Sequence, residues 1–487
     1  MTRDEMGGRY LVVSDLHVTD VEDHDDGWQI HKSSRFLIDD DFDSLVRTFV
    51  SRTHGHGPRT LVLNGDIVDF DLVTAVPANA PWPVTPFERE RGLDATEPKS
   101  AWKLAYILRQ HPKFVATLAE FAAAGNRIVY VLGNHDREMH FEGVQRVLVD
   151  ALEAHAAAAG TRIPDGALRF EPWFYYVANE LYAEHGNQFD HYSSYKDVLS
   201  PTVDGRDGPV IAVPMGNLSN RYMGTRMGFF NPHAADFILN LFRYFAHWLE
   251  HYAFTRRSLV VNWFVGSFLV VVRLIEQKKK LLMRRRDEEA VTQVARRYNL
   301  SVRTLDALAR LHKPPIANRL YRVLREFWLD RLIMALVMAA GAVVFAFVPL
   351  PFWAKLTIPL LGFPLTYFVY ERLAEGDDIF TVEQQIPSSA RDIVEMLPVR
   401  VVAFGHTHKP RLIPLRDGAT FVDTGAWAPI TSADRSTLAP GYRNYLIADF
   451  SDGTLRLTFD CWPVGGRAVN QDHEQERRPT GEQRAAG

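Results

Sequence analysis

At 487 residues the chain is long for one domain, so two or three structural units are expected. Its one cysteine, Cys461, excludes an internal disulfide framework and a cysteine-rich zinc module, and fits a reducing compartment. The net charge of −4 hides an asymmetry: from Arg221 to Arg331 stand 21 Lys/Arg against nine Asp/Glu, a local +12 that leaves −16 elsewhere. A basic block of this size wants an anionic partner, either phospholipid headgroups or nucleic acid.

The opening "MTRDEMGG" is polar and the apolar run after it is short, which predicts no signal peptide and an N-terminal region folded in the cytoplasm. β-Rich runs follow at 9–14 (RYLVVS), 59–64 (RTLVLN) and 127–132 (RIVYVL). Helical patterns lie between them at 39–55 and 99–125, the second breaking near Pro112 and capped by Gly125, and another follows at 142–159. Alternating strands and helices with near-continuous apolar strands indicate an α/β sheet covered on both faces. Further strands are expected in "ALRFEPWFYYVA", "ELYAEHG", 399–405, 419–425, 444–450 and 454–460. The last residues are polar and expected to be disordered.

Residues 215–380 read differently. An amphipathic helix is expected at 236–254, with Ile238, Leu241, Phe242, Phe245, Trp248, Leu249 and Tyr252 on one face. The run 258–272 is uncharged but only 15 residues long, and "QKKKLLMRRR" comes after it. Two longer apolar runs, 332–350 and 351–370, then stand back to back around Pro349 and Pro351.

Chemistry-bearing residues stand where strands end: Asp15 and His17 (SDLH), Asp66 and Asp69 (NGDIVD), Asn134, His135 and Asp136 (GNHD), His185 (EHGNQFD), and His406 and His408 (GHTH). Parallel strands present their carboxyl ends along one sheet edge, so residues far apart in the chain would meet there. Each motif is weak alone; together and in this order they are specific.

The set resembles the calcineurin-like metallophosphoesterase pattern over roughly residues 9–200 and 395–462. The resemblance implies an α/β fold, a four-layer α-β-β-α sandwich, with two metals at one edge. It implies Asp15, His17, Asp66 and His408 on the first ion, and Asp66, Asn134, His185 and His406 on the second, with Asp66 bridging. His135 is implied as general acid, held in its tautomer by Asp69. Mixed imidazole, carboxylate and amide ligands suit Mn²⁺, Fe or Zn²⁺, and the resemblance favours Mn²⁺. The implied reaction is phosphoester or pyrophosphate hydrolysis by a metal-bridging hydroxide, without a covalent enzyme intermediate. Two divalent ions less two carboxylates and one hydroxide leave +1, which attracts an anionic ester.

Phe70 follows Asp69 where Ser/Thr protein phosphatases carry arginine, which argues against that subclass. UDP-diacylglucosamine pyrophosphohydrolases are nearer, but they commonly depart from GNHD at the histidine that this chain keeps as His135. "HGHG" at 54–57 is read as a surface loop, and the acidic run 20–27 as a solvated loop close enough to gate the site. Residues 294–312 have a helix-turn-helix rhythm and are read as a helical hairpin in a membrane-facing insert, not a DNA reader.

Residues 332–350 offer 19 uncharged positions, about 28 Å at helical rise, close to a bilayer's hydrocarbon thickness. Arg322, Arg325, Arg331 and Arg372 flank the pair of runs and place both ends in the cytoplasm. The expected organisation is a phosphoesterase domain at 1–214 and 381–463, a helical insertion at 215–380 with a membrane hairpin at 332–370, and a disordered tail at 464–487. The 258–272 run is read as interfacial or buried. The expected partners are a phosphoester, on a membrane-associated or lipid-linked substrate, and an anionic membrane surface, favoured over nucleic acid. The alternatives are a soluble hydrolase of nucleotides or small phosphoesters with a helical cap, and a non-catalytic scaffold.

Overall fold

Short apolar runs become strands wherever the chain is buried on both sides. The computed structural model describes residues 7–464 except 26–27, 53–57, 206–207, 227–248, 250–257, 284–286, 374–381 and 432–437. The amphipathic stretch 236–254 (Leu249 apart), the 54–57 turn and the tail beyond 464 lie outside the described residues.

In chain order the elements are β1 (Arg9–Val13), α1 (Asp39–Arg52), β2 (Thr60–Asn64), α2 (Pro86–Arg91), α3 (Glu97–Gln110), α4 (Pro112–Ala123), β3 (Arg127–Val131), α5 (Glu142–Ala158), β4 (Leu168–Glu171), β5 (Phe174–Val177), β6 (Leu181–Glu184), β7 (Thr202–Gly205), β8 (Gly208–Ile211) and α6 (Met215–Tyr222). Then come α7 (Leu259–Met283), α8 (Glu288–Tyr298), α9 (Val302–Ala309), α10 (Leu320–Glu326), α11 (Leu329–Ala346), α12 (Phe352–Leu373) and α13 (Val382–Met396). The chain closes with β9 (Val401–Phe404), β10 (Arg411–Pro414), β11 (Thr420–Asp423), β12 (Ile430–Thr431), β13 (Leu438–Ala439), β14 (Asn444–Asp449) and β15 (Arg456–Cys461). The expected break at Pro112 separates α3 from α4, with Pro112 in the first turn of α4, where its missing N–H costs nothing.

Two mixed sheets result. The first has the order β15-β14-β1-β2-β3-β4, with β1 to β4 mutually parallel and β14 antiparallel to β1. The second has the order β10-β11-β9-β6-β5, with β6, β9 and β11 parallel. Alternation along each strand sorts the side chains. Tyr10, Val12, Val62, Val129 and Val131 share one core with Leu181, Ala183, Val401 and Ala403 of the second sheet. Leu11, Val13, Leu61, Leu63 and Ile128 instead pack among residues of α1, α3, α4 and α5. Both faces are therefore apolar, which is why the strands read as unbroken hydrophobic runs. Each fully buried Val or Leu contributes about 1.5–3 kcal/mol.

The outer face of the second sheet is covered by α8, α9 and α13: Val291, Val294, Leu305, Leu308, Ile386 and Ile393 pack with Trp173, Phe174, Phe404 and Phe421. This corrects the reading of 294–312 as facing a membrane. The segment is a helical hairpin, capped by Asp287 on the Ala290 amide and by Ser301 on the Thr304 amide, each at 3.0 Å. Its apolar faces are spent on the sheet.

The acidic run after β1 is likewise only partly solvated. Lys32 is buried and lies 2.8 Å from both Asp20 and Glu22, and it holds the Glu22 carboxyl down to about 2 against the opposing effect of burial. The uncharged 258–272 run forms the first part of α7. One side (Asn262, Gly266, Ser267, Val270, Leu274) is buried, while Val261, Phe264, Val265, Phe268 and Val272 are exposed. Gly266 lets α7 approach α6 closely: a methyl group there would collide with Met223 and crowd the Tyr222 carbonyl.

Helices α11 and α12 are long and apolar enough to cross a membrane, and the span window of each is only 6% buried. At their base Arg331 Nε donates to Glu371 Oε1 at 2.6 Å, Arg325 lies 3.5 Å from Glu371, and Tyr321 bonds Tyr370 at 2.9 Å. At the far end Lys355 Nζ donates to the Ala346 carbonyl at 2.6 Å, amid exposed Phe347, Phe352 and Trp353.

Candidate metal centre

The chemistry-bearing residues stand just past the ends of β1, β2 and β3 in one sheet and of β6 and β9 in the other. Backbone hydrogen bonds knit these ends together: Asp15 N to Gly65 O (3.0 Å), His17 N to Asp66 O (3.0 Å) and Gly405 N to His185 O (2.8 Å). The His406 amide crosses between the sheets to the Asp15 carboxylate at 3.1 Å, and the His135 amide donates to Asp66 Oδ1 at 2.7 Å.

The backbone there is strained in a consistent way. Asp15, His17, Asp66, His406 and His408 have φ of 52°, 48°, 53°, 70° and 59°, five of the eleven non-glycine residues with positive φ among the described residues. Such conformations cost on the order of 1–3 kcal/mol each and persist where the surroundings over-determine them, typically at functional sites. Space is equally tight. A methyl on Gly133 would strike the Asp66 carboxylate, and one on Gly405 the Asp15 carboxylate. The glycines of GNHD and GHTH are therefore required by close approach.

Three groups of side chains have ligating atoms within 4.8 Å of one another: Asp15, His17 and His408; Asp66, His185 and His406; and His17, Asp69 and His135. In the first, His408 Nε2 is 3.2 Å from Asp15 Oδ1 and 3.2 Å from His17 Nε2. In the second, His185 Nε2 is 3.1 Å from Asp66 Oδ2. The third group is different. Asp69 Oδ1 accepts from the amides of Asp71 (3.0 Å) and Leu72 (3.2 Å), and Oδ2 faces Nδ1 of His17 (3.2 Å) and of His135 (2.9 Å). Its lone pairs are already engaged, so it orients two imidazoles. His185 is oriented by the Asn64 carbonyl, 3.0 Å from Nδ1, and His406 by Asp190, whose Oδ2 is 3.1 Å from Nε2. Partners of this kind fix which ring nitrogen is left for an ion.

Sequence reading missed Asn64, Asp71, Asp190 and the second role of Asp69. Asp190 closes the quoted stretch EHGNQFD, five residues after His185, and that proximity was its only signal.

The donor set fits divalent ions. Asn134 Oδ1 is buried and has no hydrogen-bond partner among the described residues, His185 Nε2 is buried facing the Asp66 carboxylate, and both atom types are metal ligands. Burial works against a charged His185, but the carboxylates of Asp66 and Asp15 outweigh it and raise its pKa to about 10. His135 reaches about 10 in the same way, through Asp69 and Asp66.

A pH dependence follows. For a raised pKa, the stabilisation is complete below the unfolded value near 6.5 and is lost as pH rises through 10. A raised pKa means that an ion binding at His185 would have to displace a proton below about pH 10. Apparent metal affinity is expected to climb between pH 6 and 9, with proton release seen by titration calorimetry in buffers of different ionisation enthalpy. A flat profile would contradict this electrostatic picture.

The calcineurin-like phosphoesterase family matches residues 8–251. The chain belongs to this family. None of the curated proteins compared with it matches. The matched span holds the DxH, GDxxD, GNHD and His185 elements and ends before Gly405, so the GHTH turn joins them through the fold, beside Asp15.

Proposed function

We propose that this family member is a metal-dependent phosphoric ester hydrolase acting at the cytoplasmic side of a membrane. Asp15, His17, Asp66 and His408 would hold one divalent ion; Asp66, Asn134, His185 and His406 would hold the second. Mn²⁺ is the favoured ion, with Fe or Zn²⁺ also suited to these ligands. Bound there, the ions supply Lewis acidity toward phosphoryl oxygens and a nucleophile at neutral pH. The chain's own residues do the rest. His135, held through Nδ1 by Asp69 at 2.9 Å, whose charge favours its protonated form, would give its Nε2 proton to the leaving oxygen. Two sheets joined at an apolar interface, with helices outside each, make the four-layer sandwich that positions these groups.

The observation that carries the reading is the convergence of four strand ends, those of β1, β2, β6 and β9, on two sets of ligating atoms, with β3 bringing His135 to a third set beside them. The test is metal analysis with turnover of bis-p-nitrophenyl phosphate. His135→Ala is expected to lower kcat about 10²–10⁴-fold with metal content unchanged. A wild type that is metal-free and inactive after supply of Mn²⁺ would overturn the proposal.

The membrane component rests on α11 and α12. Eighteen residues of α11 rise about 27 Å, against a hydrocarbon core of about 30 Å. Trp328, Arg331, Tyr367 and Tyr370 gather at one end, and Trp353 and Lys355 at the other, the arrangement of two interfacial belts. A helical cap would bury these helices, and they are exposed. With both ends on one side, the catalytic edge works near headgroups, which makes a lipid phosphoester or lipid-linked diphosphate the proposed substrate class.

A further inference from the structure

Asn217, on α6, lies 83 positions from the strand-end residue that it touches. It is 1% exposed. Its Oδ1 accepts from Asn134 Nδ2 at 3.2 Å, and its Nδ2 donates to Asp71 Oδ2 at 2.8 Å. Asp71 is gripped by Arg137, which reaches Oδ2 at 2.9 Å and Oδ1 at 2.5 Å. The same guanidinium returns to the Asn134 carbonyl at 2.5 Å. The four residues form a closed ring around Asn134, and all are buried.

The ring has a direction set by donor and acceptor inventory. Arginine only donates, an ionised aspartate only accepts, and an amide has one end of each kind. Arg137 therefore fixes Asp71 as acceptor. Asp71 takes the NH₂ end of Asn217, which turns the Asn217 oxygen toward Asn134. That oxygen takes the NH₂ end of Asn134, and Oδ1 of Asn134 is the atom left over, buried and without a hydrogen-bond partner among the described residues. An amide nitrogen has no lone pair to offer an ion, so a flipped Asn134 would not ligate.

We propose that Asn217 is a positioning residue for the second metal: it decides which end of the Asn134 amide faces the ion. The proposal rests on the metal reading above. Replacement of partners outside the ligand set typically costs 10–100-fold in metal affinity. Asn217→Ala is expected to leave one Mn²⁺ site at wild-type affinity and weaken the other about 10–100-fold, read by titration calorimetry. Asn217→Leu, which keeps the volume and removes both hydrogen bonds, is expected to do the same should the alanine variant fold poorly. If Asn217 acts through Asn134, it has no further effect in an Asn134→Ala background, the non-additivity expected of residues in one network.

Either variant retaining both affinities, or a full additional loss in the Asn134→Ala background, would overturn the positioning role. A wild type that binds no ion would remove the metal centre and this role together. Two ions in the wild type with unchanged variants would remove this role alone.

Discussion

Asp66→Ala is expected to empty both metal positions and stop turnover. Asp66 is the residue that both ligand sets share in the proposed centre. It is 1% exposed, has φ +53°, holds the His135 amide on Oδ1 at 2.7 Å and places Oδ2 3.1 Å from His185. Its charge is a main cause of the raised pKa of both His135 and His185. Loss of Lewis-acid stabilisation is worth several kcal/mol; at 1.4 kcal/mol per tenfold, kcat should fall about a thousandfold or more. A second readout does not depend on activity. An ion present at 100 times its dissociation constant stabilises the native state by about 2.7 kcal/mol, so the wild type should gain Tm on Mn²⁺ addition and the variant should not. A variant that still took up two ions would show that Asp66 does not bridge them.

Removing residues 333–369 and joining Leu332 to Tyr370 by a short Gly/Ser linker is expected to move the protein from the membrane pellet to the high-speed supernatant. The base of the hairpin makes the experiment practicable, because Arg331 and Glu371 are already paired at 2.6 Å. In the spans, each Leu, Ile, Val or Phe near a helix centre contributes about −0.3 to −0.6 kcal/mol to insertion, whereas a central Lys would cost about 2.5–3.5 kcal/mol. The one lysine of α12, Lys355, avoids that cost by sitting in the first turn against the Ala346 carbonyl. Turnover of a small soluble diester should survive the deletion, since every proposed ligand lies outside it. Recovery of the intact chain in the supernatant without detergent would defeat the bilayer assignment.

Much of the framework was legible from the amino acids because burial on two faces leaves a plain mark. β1, β2 and β3 end within one residue of the apolar runs that announced them, and the helical run over 99–125 divides at Pro112. The motif residues were legible because each follows such a run. What escaped had no local signature. Asn217 sits in "GNLSNR", an unremarkable polar stretch, and matters only because α6 docks beside GNHD. The left-handed φ of Asp15, His17, Asp66, His406 and His408 is imposed by neighbours from other strands and is invisible in composition. α8 and α9 carried an amphipathic rhythm that suited a sheet as well as a lipid surface, and only the aromatics that they bury on the second sheet's outer side, Trp173 and Phe174 among them, decided between the two.

The ring through α6 bears on how a shortened form of this protein should be cut. Trimming at Met215, where the polar-to-apolar change in composition invites it, would discard the amide that orders Asn134. It would also remove Met215, Leu218 and Tyr222, which pack into the first sheet's helical layer, and bare the core residues they cover. The scissors belong beyond Tyr222, and α7 must stay with it, since its Gly266 is seated against that very turn.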